Sequence, residues 1–287
     1  MAPENGALDL DIIIVAFGAP ALLERCLSAL GEAKTVNVID NSSDDAVRSV
    51  AERHHAAYLD PGRNLGFSAG VNLGIDKRHR PGTDVLLLNP DATIGQDGLS
   101  ALHRCLHARG DRACVAPDQV DPATGRGTRV EWPFPSPSGA WIDAMGLGSL
   151  RRPGFVIGSV LLLRAEAISE VGPFDERFFL YAEETDWQRR AVDRGWTVGL
   201  CPEVRATHVG AGTGGSALER EIHFHASNER YLRKHFGSRG WWAYRTGSLF
   251  GSSLRAILLS GERGRQANVR LGLYRHGPCR VESELHR

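Results

Sequence analysis

The sequence predicts an α/β protein with a mostly parallel central sheet flanked by helices, continued by a helical C-terminal extension. Three observations predict it. Short, nearly continuous apolar runs recur along the N-terminal half, amphipathic stretches of helical period separate them, and Asp and Asn gather where the runs end. Ile12 to Phe17 reads as the first strand and Ala21 to Leu30 as the helix after it. Val36 to Ile39, Asp44 to His54, Ala57 to Leu59, Ser68 to Lys77 and Val85 to Leu88 continue the alternation of strand and helix. Ligands of such sheets gather at the carboxyl ends of the strands. The informative positions are therefore Ala16 and Phe17, then Asp40, Asn41 and Ser42, then Asn89, Pro90 and Asp91. Asp and Asn also build turns and cap helices, and for Ser42 to Asp45 both readings stay open. Asp91, directly after a buried strand, is read as functional. Beyond Cys114 the pattern breaks in Pro117 to Gly139, which reads as a long functional loop. Order resumes with an apolar strand, Phe155 to Leu163, a helix from near Ala165, the segment Phe174 to Tyr181, and an acidic helix start at Glu183 to Asp186.

Composition narrows the classes. The chain has 287 residues, 42% of them hydrophobic, enough for a sizeable core, and equal numbers of basic and acidic side chains, 34 each. No global field would hold it on nucleic acid. Five cysteines, Cys26, Cys105, Cys114, Cys201 and Cys279, are scattered with no CxxC pair. That pattern predicts neither a disulfide framework nor a zinc ribbon and suits a reducing cytoplasm. The N-terminal residues are acidic where a leader peptide would be basic, and no apolar stretch reaches about 18 residues, so neither secretion nor a membrane span is expected.

The polar residues at the strand ends and in the acidic helix start can be tested against what transfer off a diphosphate would require. A hard divalent cation held by carboxylates neutralises departing phosphates, and Asp91 can supply one ligand. Glu183, Glu184 and Asp186 place three candidate bases in four residues; on a helix Glu183 and Glu184 point about 100° apart and Asp186 returns to the face of Glu183. The alternative is an acidic first turn that merely suits the helix dipole. His208 can add a nitrogen ligand, a mixed set that suits manganese as well as magnesium, although a lone histidine is commonly structural. Gly210 to Gly215 fits GxGxxG, but no strand ending in Asp or Glu follows it, so a lid over a phosphate is the better reading. His103 and His107 lie one turn apart with nothing nearby to complete a zinc set and are assigned to a solvated face. Phe17-Gly18-Ala19-Pro20 lacks the Gly-rich, Arg-containing loop that sugar-nucleotide synthesis would demand.

Taken together, Ile12 to Phe17, Val38 to Ser43, Asn64 to Gly74 and Leu86 to Asp91 resemble family 2 glycosyltransferases, most closely the rhamnosyltransferase-like branch. The resemblance continues through Gly158-Ser159, Val171 to Phe179 and Tyr181 to Asp186 and reaches His208, covering about residues 8 to 236. It implies a GT-A fold, with a nucleotide-sugar-binding half over 8–116 and an acceptor-binding, catalytic half over 117–236. Residues 237–287 are then a helical extension with a polar, loose tail after Arg263. It further implies direct displacement with inversion and no covalent sugar intermediate. Phe17, Asp40 and Asn41 would hold base and ribose, while Arg63, Asn64, Gly66 and Gly70 would shape the donor pocket. The family's metal motif is Asp-x-Asp; here Asn89-Pro90-Asp91 leaves Asp91 as the principal carboxylate ligand of Mn2+ or Mg2+, with His208 completing the site. Where the family has Glu-Asp this chain has Glu183-Glu184, so Glu184 falls at the base position with one extra methylene.

The branch resemblance implies rhamnose from a dTDP donor, UDP-sugar donors staying open, and a lipid-linked saccharide or other glycan acceptor fits the basic, aromatic helices that follow. After His208 the chain becomes helical and basic, with arginines interleaved among Phe224, Tyr231, Phe236, Trp241, Trp242 and Phe250. Such helices can lie on an anionic membrane surface, at the inner face of the cell membrane for a cytoplasmic protein, or can pack their aromatics into the protein. A homodimer is compatible with this reading, and no nucleic-acid partner is expected. Two rival readings remain: a non-catalytic sugar-nucleotide-binding module, and a dinucleotide-dependent enzyme built around residues 210–215.

Overall fold

A computed structural model describes residue 8 and residues 10–31, 35–210 and 216–285. The order opens with β1 (Leu10–Ala16), α1 (Pro20–Leu30), β2 (Thr35–Asp40), α2 (Asp45–Arg53), β3 (Ala57–Leu59), α3 (Phe67–Asp76) and β4 (Asp84–Leu88). It continues with β5 (Ala92–Thr93), α4 (Gln96–His107), β6 (Arg112–Val120), β7 (Gly127–Thr128), β8 (Glu131–Trp132) and α5 (Pro137–Ala144). A short 3-10 turn at Gly148–Leu150 leads to β9 (Phe155–Val156), β10 (Val160–Leu163), α6 (Ala165–Val171), α7 (Glu183–Val192) and β11 (Thr197–His208). Three helices follow, α8 (Ala217–Leu258), α9 (Gly261–His276) and α10 (Pro278–Leu285).

The main sheet runs β3-β2-β1-β4-β10-β6-β11-β5, with β7 on β6. The first four strands are parallel, β10 is antiparallel to both neighbours, and β6 and β11 are parallel again. This is a GT-A-like mixed sheet with flanking helices. Its centre is apolar on both faces because helices cover both: Ile12, Ile14, Leu86, Leu88 and Leu162 pack on one side, Ile13, Val85, Leu87, Leu161 and Leu163 on the other. On the second side α3 lies close to β1 because Gly70 and Gly74 face it. A Cβ at Gly70 would stand 2.9 Å from Val15 Cγ1, and one at Gly74 would stand 2.5 Å from Ile13 Cγ2.

The segment expected as a loop, Pro117 to Gly139, begins as strand, because β6 continues to Val120 alongside β11, and its end already belongs to α5. The strand expected over Phe155 to Leu163 is two strands. β9 pairs with β8, β10 joins the main sheet, and Ile157-Gly158-Ser159 carries the chain between them. Among the described residues, those up to Trp132, Phe155–Glu176 and Glu183 to Gly210 form one compact unit. Pro133–Gly154, Arg177–Ala182 and the residues from Ser216 onward form the other. In that second unit α8 opens with a capping box, Ser216 with Glu219, and turns at Gly237, whose φ of +64° only glycine adopts readily. The polar tail expected to be loose after Arg263 is helical instead. Tyr274 is buried and donates or accepts at His225 Nδ1, 2.9 Å away, and Glu282 is buried against His223 and Arg230. Charged residues in the tail hid these anchors from a reading by composition.

Candidate functional site

The carboxyl ends of β1, β2, β4, β6 and β11 lie on one edge of the main sheet, as their mutual direction requires. At the end of β4 the turn Asn89-Pro90-Asp91 is held from two sides. The Asn89 amide donates to the Ser159 carbonyl at 2.8 Å, and the Asn89 carbonyl accepts from Ala92 at 3.0 Å. β5 pairs with the end of β11, His208 opposite Ala92, and the Val209 amide donates to the Asp91 carbonyl at 3.1 Å. This register brings His208 Nε2 to 3.3 Å from Asp91 Oδ1, with the Asp91 side chain almost fully buried. Two hard donors that approach each other this closely can ligate one divalent ion, whose bonds to N and O run about 2.0–2.2 Å. The donor set therefore fits a mixed oxygen and nitrogen site.

Glu183 and Glu184 begin α7. One carboxylate oxygen of each is buried with no hydrogen-bond partner among the described residues. Burial pushes both carboxyls above the usual range, Glu183 with the added repulsion of Glu184, and Glu184 to about 7. The two residues before them, Tyr181 and Ala182, hold positive φ of 68° and 63°, a conformation that costs about 1–3 kcal/mol at a non-glycine residue and clusters at functional sites.

α7 is fixed by three side chains. Gln188, fully buried, accepts from the Val156 amide at 2.9 Å and donates to the Val156 carbonyl at 2.7 Å, so it pairs with β9 as a strand would. Trp187 donates to the Gly172 carbonyl at 3.0 Å and stacks on Phe174. Asp186, expected among the candidate bases, accepts from Arg190 at 2.9 Å, whose other nitrogens reach the carbonyls of Val171 and Pro173. That arrangement ties α7 to the end of α6 and engages Asp186 in the fold, so of the three candidate bases Glu183 and Glu184 remain.

Glu184 and Gln188 lie one turn apart on the same face. Gly158, two residues beyond the strand Gln188 holds, meets Glu184: a Cβ there would stand 3.2 Å from Glu184 Cγ. Since Ser159 holds Asn89, the three residues Ile157-Gly158-Ser159 connect the Glu184 helix to the Asp91 turn. Gln119, at the end of β6, accepts from Ser159 Oγ at 2.9 Å, and its buried amide nitrogen is an open donor among the described residues. Gln188, Gly158 and Gln119 were not assigned roles from the sequence. The only signal was the i, i+4 spacing of Gln188 from Glu184.

The residues expected to meet the donor divide into two groups by burial. Asp40 is completely buried and its four acceptor directions are taken. Oδ1 accepts from the amide and hydroxyl of Ser42, and Oδ2 from the Asp44 amide and the Tyr58 hydroxyl. Ser42 Oγ in turn accepts from Gly18 N, which joins the β2 turn to the β1 turn. Asn41 donates to the Gly66 carbonyl at 3.0 Å and accepts from Leu65, and Asn64 accepts from Gly66. Asp40, Asn41, Gly66 and Gly70 are thus buried within the turns after β1 and β2 and the start of α3, while Phe17, Arg63 and Asn64 are exposed. Asp44 does cap α2, accepting from Ala46, which answers for that residue the question left open at Ser42 to Asp45.

Two expectations are corrected away from this edge. His103 and His107 do have a partner nearby: both Nε2 atoms approach the buried Asp84 Oδ2, at 3.3 and 2.6 Å, although His107 itself stays exposed. Arg164 Nη1 stands 3.3 Å from His107 Nδ1, and Asp84, His103 and His107 lie close enough together to hold one ion. Cys105 and Cys201 form a disulfide with Cα atoms 6.4 Å apart, between α4 and β11. Their separation of 96 residues carried no signal in the spacing of cysteines. The Gly-rich segment of residues 210–215 lies, apart from Gly210, outside the described residues; only helices follow it among the described residues, so no strand–helix–strand dinucleotide unit is built there.

Known proteins share this architecture. The chain is 29% identical to an N-acetylglucosaminyl-diphospho-decaprenol L-rhamnosyltransferase of Mycobacterium tuberculosis, covering 93% of this chain and 99% of that protein. It is 28% identical to the low-salt glycan biosynthesis hexosyltransferase Agl10 of Haloferax volcanii over 70% of this chain and 67% of the relative. Among solved structures, a mannosyltransferase from Pyrobaculum calidifontis in complex with GDP-Man and Mn2+ matches with a TM-score of 0.58 at 14% identity, covering 96% of this chain and 83% of that one. Glucosyl-3-phosphoglycerate synthase from Mycobacterium tuberculosis, in complex with Mn2+, UDP and phosphoglyceric acid, matches with a TM-score of 0.56, covering 78% of each chain. With the family model for glycosyl transferase family 2 matching residues 11–171, more than half of its length, this chain belongs to that family and is a glycosyltransferase.

Proposed function

We propose that the chain transfers a hexose, rhamnose being the first candidate, from a dTDP- or UDP-linked donor to a hydroxyl of a glycan or lipid-linked saccharide, with inversion at the anomeric carbon. The rhamnosyltransferase relative supports the sugar and the lipid-linked acceptor, the GDP-Man complex of one structural neighbour supports a nucleotide-sugar donor, and the UDP complex of the other supports UDP among the candidates. The observation that carries the reading is the buried carboxylate oxygen of Glu184 that has no hydrogen-bond partner among the described residues, on the same sheet edge as the Asp91–His208 pair.

Glu184 is the base. Its raised pKa places proton uptake near neutral pH, where a general base works best. It removes the proton of the acceptor hydroxyl as that oxygen forms its bond to the anomeric carbon. The bond from that carbon to the phosphate oxygen breaks on the opposite face, and its electron pair leaves with the nucleoside diphosphate. Asp91 and His208 would hold Mn2+ or Mg2+, which when bound neutralises the leaving diphosphate. Asp40 and Asn41 keep the nucleotide-side walls rigid, and Phe17 and Arg63 offer a ring and a cation to base and phosphate.

Calorimetric titration with UDP, dTDP, GDP and NAD, each with and without Mn2+, tests the donor half. Metal-dependent binding of UDP or dTDP is expected. Binding of NAD alone, indifferent to metal, would overturn the reading, and tight donor binding without any turnover would leave a sugar-nucleotide-binding module.

A further inference from the structure

In the second unit Trp241 of α8 is buried as expected, but the last turns of that helix, from Gly247 to Leu258, are built inside out. An ordinary surface helix turns its large apolar residues inward. Here the buried positions are small, Gly247, Gly251 and Ser252, and they let α5 approach closely: a Cβ at Gly251 would stand 2.9 Å from that of Ala144, and one at Gly247 would stand 3.0 Å from Trp141 Cδ1. The large residues Phe250, Leu254, Ile257 and Leu258, at the spacing i, i+4, i+7, i+8, form one exposed stripe, with Ile257 81% and Leu258 70% accessible. Trp141 of α5 stacks on Phe250, and Met145 and Leu150 just beyond are also exposed, so the stripe widens into a patch. Contiguous exposed apolar surface of this kind marks an interaction site.

The charge around it indicates the partner. Residues 237–287 contain nine arginines and three glutamates, a net charge of +6, although the whole chain is neutral. Near the stripe the acidic groups are already matched, Asp143 by Arg151 and Glu262 by Arg265. Arg152 and Arg263 are exposed and have no ion-pair partner among the described residues. No described helix is long and apolar enough to cross a membrane. We infer that the exposed Phe250–Leu258 stripe of α8, with Trp141, Met145 and Leu150 beside it and arginines around it, is a docking surface that lies in the headgroup boundary of an anionic lipid bilayer. Apolar residues enter the acyl boundary and the guanidinium groups meet lipid phosphates, as for an interfacial helix.

The inference is independent of the donor and the acceptor, because vesicles without either test it. The full-length chain is mixed with vesicles of phosphatidylcholine, with and without phosphatidylglycerol, and sedimented. Sedimentation with the phosphatidylglycerol vesicles is expected, weakened by salt, and the double variant Ile257→Glu, Leu258→Glu should lower the partition coefficient at least about tenfold. Both side chains are outside the core, so an unchanged melting temperature accompanies the loss, and Arg152→Glu with Arg263→Glu gives a second, charge-only variant. Three results overturn the inference: a chain that stays in the supernatant with anionic vesicles, equal binding to both vesicle types, or a chain that is dimeric in solution and becomes monomeric in the Glu double variant, which would give the stripe to a second copy.

Discussion

Glu183 and Glu184 are adjacent carboxyls taken out of water without hydrogen-bond donors for all their oxygens, and each property leads to a measurable consequence. Glu184→Gln keeps the shape and removes the basicity. Transfer should fall by about 10²–10⁴ while nucleotide binding by calorimetry stays intact; near-normal turnover would remove Glu184 from the mechanism. Because only the ionised form accepts a proton, kcat should rise as pH passes the elevated pKa near 7 and be low at about pH 5. Glu183 carries the stability consequence. Its folded-state pKa lies above its unfolded value, so unfolding releases a proton, and stability is full below the ordinary carboxylate range and declines as pH rises through the raised value. Glu183→Gln should therefore raise the melting temperature at about pH 8 and change it little at about pH 4, each pH unit of that window being worth up to about 1.4 kcal/mol. The acidic cluster was plain in the sequence, since three carboxyls in four residues are hard to miss. Which of them the fold spends was not, because the Asp186 pairing with Arg190 depends on the carbonyls of Val171 and Pro173, fixed only when α6 and α7 meet.

At the scale of elements, the site depends on close approaches that a sequence shows only as small residues or an unremarkable amide. Gln188→Leu leaves the Val156 amide and carbonyl buried without partners, at about 1–3 kcal/mol for each unsatisfied group. We expect a lower melting temperature and a lower kcat, with the donor KM nearly unchanged because the residues proposed to hold the donor follow β1 and β2. A kcat equal to wild type would mean that α7 holds Glu184 without help from β9. Gly74→Ala tests the packing of α3 on β1. Alanine favours a helix by up to about 1 kcal/mol, whereas a Cβ 2.5 Å from Ile13 Cγ2 overpacks a rigid strand by about 1–3 kcal/mol. Overpacking should win, and thermal denaturation should show a loss; a gain would mean that Ile13 yields easily. The strands β1 to β4 and helices α1 to α3 were legible because both faces of the sheet are covered and the apolar runs are continuous. The break between β9 and β10 was not, since Ile157-Gly158-Ser159 sits inside one apolar run and only the competing partners β8 and β4 divide it.

At the scale of the molecule, what escaped the sequence is whatever joins distant segments, and the clearest case is the link between Cys105 and Cys201. Cysteine count and spacing argued for free thiols, but the topology places β11 beside β6 and under α4, and this contact is what brings the two sulfurs together. The same logic applies to Glu282, whose partners His223 and Arg230 lie more than fifty residues earlier and turn a polar tail into a packed helix. A bond that closes a loop of 96 residues restricts the unfolded chain by up to about 4–5 kcal/mol in the entropic account. Reduction by dithiothreitol should thus lower the melting temperature, and Cys105→Ala should lower it by a similar amount and abolish the response to reductant. Neither sulfur belongs to the residues proposed to hold the donor or to the Asp91–His208 pair, so nucleotide binding at room temperature should survive both treatments. Alkylation of the denatured, non-reduced chain should label three thiols, those of Cys26, Cys114 and Cys279. Labelling of all five would show that the two sulfurs are neighbours in the fold without being bonded, and would shift the stabilising role of this contact to the packing of α4 on β11 alone.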